Sequence, residues 1–193
     1  ILNFAYGYLV LPETLPRESR RPFSLARSNP IGVFKVFATY RQALPLCIVM
    51  AMYFFATSVY PAIWAFWGIA RFNWSEMTIG WTLSVFGLIT AVVQGGLTGP
   101  AVKWLGERNT TILALATSVI AAAGYGVATG MSMVLILFLV HAPEGFAQPA
   151  LTALMSKDAP PDAQGELQGG IASAQNLALL VGTVMFAQIF GYF

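Results

Sequence analysis

The sequence predicts an all-α membrane protein: a helix bundle of five complete transmembrane helices plus part of a sixth. Three observations carry this. The chain of 193 residues is 57% hydrophobic and only 9% charged, with mean hydropathy +0.69, whereas soluble domains carry about 25% charged residues. Its apolar stretches are each near the roughly 20 residues that a helix needs to cross the hydrocarbon core. Every Arg and Lys except Arg71 falls in alternate gaps between those stretches, the asymmetry that orients membrane helices. No backbone group can stay unpaired in lipid, so each span must be helical. The alternating pattern of barrel strands is absent.

Residues 1–11, ILNFAYGYLVL, make about half a span and read as the end of a membrane helix. They lack an initiator Met and a small-residue cleavage site, so this is no signal peptide, and the chain reads as a fragment of a longer protein. Residues 12–42 are the one long polar segment, with Arg17, Arg20, Arg21, Arg27, Lys35 and Arg41 against Glu13 and Glu18. The basic excess assigns this linker to the cytoplasm; the chain is expected to belong to a multi-pass protein of the cell inner membrane.

The first complete span covers 43–69. Pro45 sits in its first turn, where a missing N–H costs little; Pro61 lies inside and should bend the helix. Trp64, Trp67 and Trp74 read as an aromatic belt at the outer interface. The second span, 77–98, holds Thr90, Gln94 and a Gly95-x-x-x-Gly99 pair suited to close helix packing. Residues 99–108, GPAVKWLGER, form a short basic inner turn. The remaining spans are 110–128, with Ser118 and Tyr125, then 131–156, and 167–193, with Gln175 and Asn176.

The fourth of these spans carries the chemistry. Glu144 is the one carboxylate deep inside any apolar span of the sequence, with His141 three residues before it and Gln148 four after. These spacings share a helical face. An ionised side chain at mid-membrane costs about 2.5–3.5 kcal/mol on insertion scales and is tolerated where a cavity or partner receives it. One reading makes Glu144 a proton-binding site facing a central cavity, with His141 as partner or relay. The other makes it a cap for a break at Pro143, or a packing pair with a neighbouring helix. Thr90, Gln94, Ser118, Gln148 and Asn176, with Tyr60, are candidates to line a substrate cavity. Against that stand interhelical hydrogen bonds, each worth about 0.6 kcal/mol. Tyr53, Trp64 and Phe86 could add apolar walls of the kind that lipophilic ligands need, although an interfacial position is the simpler reading of Trp64. Gly99, Lys103, Gly106 and Arg108 read either as a hinge and latch or as a plain tight turn.

Other classes find no support. A net charge of +2 gives no nucleic-acid partner. Cys47 stands alone in an apolar run, so there is no disulfide framework. With one His, one Cys and no phosphate-cradling loop, no metal, cofactor or enzymatic site is expected.

Three motifs carry a resemblance. Leu11-Pro12-Glu13-Thr14 resembles the end of the sixth helix of major facilitator superfamily transporters. Residues 99–108 resemble that family's G-x-x-x-D-R-x-G-R-R loop in its second copy, with Lys103 where the family prefers Asp and Trp104 where it prefers Arg. Pro149-Ala150-Leu151, with the run Asp162 to Gly169, is similar to the helix 10 to 11 junction of the tetracycline-resistance-type drug/proton antiporters. The resemblance implies the C-terminal half of a major facilitator fold: 1–11 the end of helix 6, 12–42 the cytoplasmic central loop, 43–193 helices 7 to 11. It implies a secondary active transporter, with proton-coupled efflux of small lipophilic drugs as the leading expectation. A carrier of a polar metabolite and a non-transporting membrane sensor or structural protein are the alternatives. The implied partners are the lipid bilayer, a small-molecule substrate, the proton as coupling ion, and the missing N-terminal half of the same transporter. Thr90 and Ser118 stand where the tetracycline branch has a His and an Asp, so metal–tetracycline handling is not implied.

Overall fold

The computed structural model describes residues 6–7, 9–10, 36–157, 160 and 163–192. The Leu11-Pro12-Glu13-Thr14 motif and residues 12–35 of the linker lie outside the described residues. A short helix α1 (Val36–Thr39) precedes α2 (Ala43–Thr57) and α3 (Val59–Phe72). Then come α4 (Glu76–Val92), a π-helical stretch (Val93–Leu97) and α5 (Thr98–Val127). α6 (Met131–His141), a 3₁₀ stretch (Ala142–Phe146), α7 (Ala147–Ser156) and α8 (Gln164–Tyr192) complete the described chain.

Four helical stretches are long and apolar enough to cross a membrane: Ala43–Phe72, Glu76–Val127, Met131–Ser156 and Gln164–Tyr192. The second is 52 residues long, about 78 Å if straight at 1.5 Å per residue, more than twice the hydrocarbon core. It is not straight. Gly106 sits at φ 76°, ψ 159°, a region essentially reserved for glycine. Thr110 Oγ1 donates to the carbonyl of Ala101 at 3.3 Å, a contact that only a chain folded back on itself can make. The reversal is therefore one residue deep, not the ten-residue turn expected over 99–108. Gly99 and Lys103 are helical, and Lys103 and Arg108 are exposed on either side of the turn. Gly106→Ala is expected to cost about 1–3 kcal/mol of backbone strain, read as a lower unfolding temperature in detergent.

The interruption between α2 and α3 falls at Ser58, three residues before Pro61. Pro61 offers no N–H to the carbonyl of Thr57, one turn back. Helix bonding resumes with Ala62 N–H to Ser58 O at 3.3 Å.

Packing follows small residues, at positions other than those the sequence pattern favours. A Cβ added at Gly95 or Gly99 would meet nothing within 4 Å, so this pair makes no close approach among the described residues. One added at Gly68 would lie 2.2 Å from Trp74 Cε3, and one at Gly124 would lie 2.3 Å from Leu137 Cδ2. One at Gly182 would lie 2.2 Å from Ser58 Oγ. The contact at Gly68 also corrects the aromatic belt. Asn73, in the left-handed region at φ 54°, turns the chain so that Trp74 folds back over α3. Trp64 and Trp74 are each only 8% exposed, Trp67 is half-buried, and Trp64 Nε1 donates to Thr82 Oγ1 at 3.1 Å. These rings are core, not interface.

α2 and α3 pack on α8, while α5 packs on α6, the 3₁₀ stretch and α7. Gln164 Nε2 donates to the carbonyl of Ser156 at 2.8 Å, and Gln168 Nε2 to its Oγ at 3.0 Å, tying α8 to the end of α7. Large apolar side chains such as Leu88 and Val119 stay about 70% exposed, as a lipid-facing surface requires and a water-soluble one does not tolerate in quantity.

Candidate functional site

Two helix defects meet at the site. Pro143 has no N–H for the carbonyl of Leu139, and the chain tightens into the 3₁₀ stretch Ala142–Phe146. Opposite it, the π-helical stretch Val93–Leu97 widens the end of α4, and the two segments pack together. Pro100 follows this stretch and has no N–H for the carbonyl of Gly96, one turn back; within the stretch Thr98 Oγ1 donates to the carbonyl of Gln94 at 2.9 Å. Such bulges often mark functional sites. Gly145 permits the approach, since a Cβ there would already lie 3.3 Å from Val93 Cγ1.

A 3₁₀ turn stacks residues i and i+3, which brings Glu144 directly over His141. Glu144 Oε2 pairs with His141 Nε2, and its Oε1 accepts from Tyr53 Oη at 2.8 Å. His141 Nδ1 meets Tyr125 Oη at 3.3 Å. With the ring proton on Nε2, Nδ1 is the nitrogen that accepts from the Tyr125 hydroxyl. The His141 ring packs against Tyr60 at 4.9 Å and Phe86 at 5.1 Å between centroids. The His141 side chain is 2% exposed and that of Glu144 12%. The network thus spans α2, α5, α6 and the 3₁₀ stretch, with one acid–base pair at its centre.

The carboxylate faces a cavity of about 190 Å³ lined by Tyr53, Phe86, Thr90, Gln94, His141, Glu144 and Gln148. Thr90 Oγ1 is buried there with no hydrogen-bond partner among the described residues. Sequence spacing alone joined His141, Glu144 and Gln148; the fold adds Thr90 from α4 and Gln94 from the π-helical stretch. Tyr60 reaches the network through its ring. Half-buried Ser118 on α5 and exposed Asn176 on α8 are not among the residues lining this cavity. The bonds of Tyr53 and Tyr125 to the pair were not foreseen. Tyr53 lies 91 residues from Glu144 in the chain, and no local pattern announces so distant a partner. Tyr53→Phe removes a hydrogen bond to a charged group and should lower stability by about 1.5–3 kcal/mol, measured by thermal unfolding in detergent.

At the far end of the same elements, Lys157 Nζ lies 2.8 Å from Glu107 Oε1. This links the turn at Gly106 to the end of α7. The hydrogen bond from Lys157 holds the Glu107 carboxyl below its ordinary value. The pair's contribution is therefore present at neutral pH and is lost as pH falls through that lowered value.

The Major Facilitator Superfamily profile matches residues 1–183. The chain belongs to the Major Facilitator Superfamily. Among its curated relatives, tetracycline resistance protein class C of Escherichia coli is 31% identical over 189 residues, 98% of this chain and 48% of that protein. Class B of Escherichia coli is 30% identical over 161 residues, 81% of this chain and 39% of that protein. Hippocampus abundant transcript 1 protein of Homo sapiens is 23% identical over 198 residues, all of this chain and 40% of that protein. The chain spans about half, or less, of the length of these relatives. No solved structure matches it. In this superfamily member, then, an all-α membrane bundle surrounds a carboxylate–imidazole pair set between two broken helices.

Proposed function

We propose that the chain is the C-terminal bundle, helices 7 to 11, of a proton-coupled exporter of small lipophilic compounds. In this reading residues 1–11 end helix 6, residues 12–42 are the cytoplasmic central loop, and the membrane is a cell inner membrane. The observation that carries the reading is the Glu144 carboxylate. It lies inside a membrane-length helix, held by Tyr53 and His141, and faces a cavity that Gln94 and Gln148 also reach. Broken helices at such a cavity are the usual place for coupling and substrate sites in secondary transporters. Relatives that confer tetracycline resistance support a drug-like substrate.

The chemistry is an exchange of protons on a fixed network. A proton taken up by the Glu144–His141 pair neutralises the carboxylate and weakens its hold on the Tyr53 hydroxyl of α2. Release of the proton restores that hold. Protonation thereby biases how α2 packs against the 3₁₀ stretch, which is the two-state element that alternating access needs. The second bundle, against which this one would rock, belongs to the complete transporter.

The test is accumulation of lipophilic drugs, tetracycline among them, in everted membrane vesicles carrying the complete transporter. An acid-interior gradient should drive uptake, and a protonophore should abolish it. Uptake that ignores the protonophore removes the proton from the reading. No gradient-driven flux of any lipophilic drug tried would favour a sensor or structural role.

A further inference from the structure

The reversal at Gly106 sets two cations and an indole at one end of the bundle. From Glu76 to Leu105 the helical path is about 45 Å long at 1.5 Å per residue, the thickness of a bilayer with its headgroup layers. Lys103, Trp104 and Arg108 therefore sit at headgroup depth. Trp104 is 82% exposed, unlike the buried Trp64 and Trp74, and an exposed indole at that depth is an interfacial anchor. Lys103 and Arg108 are exposed beside it. The one acid of this turn is Glu107, and it is spent on Lys157. Lys103 and Arg108 make no ion pair with any described residue. An apolar ridge and a shallow trough lead up to them. Leu97, Trp104 and Leu105 recur at the spacing of one helix face and are all exposed. Gly96 and Gly99 precede Lys103 on the adjoining face, and a Cβ on either would meet nothing within 4 Å.

We infer that this turn is a binding site for an anionic phospholipid. The phosphodiester lies between Lys103 and Arg108, the glycerol beside Trp104, and an acyl chain along the trough at Gly96 and Gly99. The inference is independent of export and holds equally for a membrane sensor. The sign of the headgroup follows from the charges at the turn. A zwitterionic headgroup brings an ammonium as well as a phosphate, and the one carboxylate here already holds Lys157. That ammonium would face like charges alone. A headgroup with a phosphate and no cation meets two unpaired cations instead. Arg108 can take two phosphate oxygens side by side, while Lys103 acts as a point charge. The backbone fixes both before the lipid arrives. Gly106 holds the left-handed turn, and Thr110 Oγ1 closes it on the carbonyl of Ala101. Lys103 stands where the family's loop prefers Asp, which would repel the phosphate, so the attraction belongs to this chain.

The experiment is Trp fluorescence quenching of the full-length protein in lipid nanodiscs, by dibrominated phosphatidylglycerol against dibrominated phosphatidylcholine. The quenching lost on Trp104→Phe isolates this site. Phosphatidylglycerol should bind there about 25-fold more tightly than phosphatidylcholine, about fivefold for each of the two cations. Lys103→Gln and Arg108→Gln should each remove about fivefold, and the double variant should bring the two lipids level. Glu107→Gln frees Lys157 and should raise the preference. Arg71→Gln, at the far end of α3, should leave it unchanged. Equal binding of the two lipids at Trp104 overturns the inference, and so does a Trp104 that neither lipid quenches. A preference that survives the double variant, or that Arg71→Gln removes, overturns it too. Displacement of phosphatidylglycerol by soluble glycerol phosphate would reveal a site for free phosphate, and would overturn the lipid as occupant.

Discussion

Glu144→Gln should abolish proton-driven export by the complete transporter while leaving it folded and inserted. The amide keeps the volume of the carboxyl and an oxygen that can accept from Tyr53 Oη, which now donates at 2.8 Å. It cannot take or release a proton. Folding should be preserved, since a buried neutral amide is less costly than a buried ion. Removing one partner of a buried pair commonly costs about 3–5 kcal/mol when a bare charge is left behind. Here the partner left behind is His141, which can go neutral. The matched control is His141→Gln, which strands the carboxylate instead and should lower both yield and unfolding temperature. Full export by Glu144→Gln at normal expression would take the carboxylate out of the coupling step.

Gly182→Ala should be the most damaging small substitution in the scaffold. A Cβ at this buried position of α8 would lie 2.2 Å from Ser58 Oγ and 2.8 Å from the carbonyl oxygen of Phe55. The hydroxyl can rotate away, but the backbone oxygen cannot. Ser58 is also the break between α2 and α3, where its hydroxyl donates to that same carbonyl at 2.6 Å. α8 must therefore move off the kinked helix pair on which it packs. Overpacking of this kind costs about 1–3 kcal/mol, or about 2–4 °C of unfolding temperature per kcal/mol for a chain of this size. Adding Ser58→Ala should recover part of the loss, since it removes the nearer of the two contacts. Gly95→Ala is the control. It meets nothing within 4 Å and should melt with the unmodified protein.

The class of fold was legible because lipid imposes it: apolar stretches of fixed length, helical by necessity, with basic residues on alternate gaps. Boundaries were legible where a charge or a Pro marks them. They failed where one glycine does the turning. Nothing in residues 99–108 distinguishes a ten-residue loop from a helix that reverses at Gly106, because the positive φ is a property of the folded backbone. The Trp cluster misled for a related reason. Interfacial and core tryptophans have the same local sequence, and the left-handed turn at Asn73 decides which they become. Within the site, Glu144, His141 and Gln148 could be paired by helical spacing, and the 3₁₀ turn brings the first two into contact. Tyr53, Tyr125 and Thr90 come from other helices. Their contribution is tertiary, and helical periodicity carries no trace of it.

The central claim is that the Glu144 carboxyl is a proton-exchanging group inside the membrane bundle. Infrared difference spectroscopy of the protein in nanodiscs, stepped between acid and neutral pH, reads this directly. The account predicts the carbonyl-stretch band of a protonated, weakly solvated carboxyl that appears on acidification and is missing in Glu144→Gln. The same band in both proteins, or no such band in either, would contradict it.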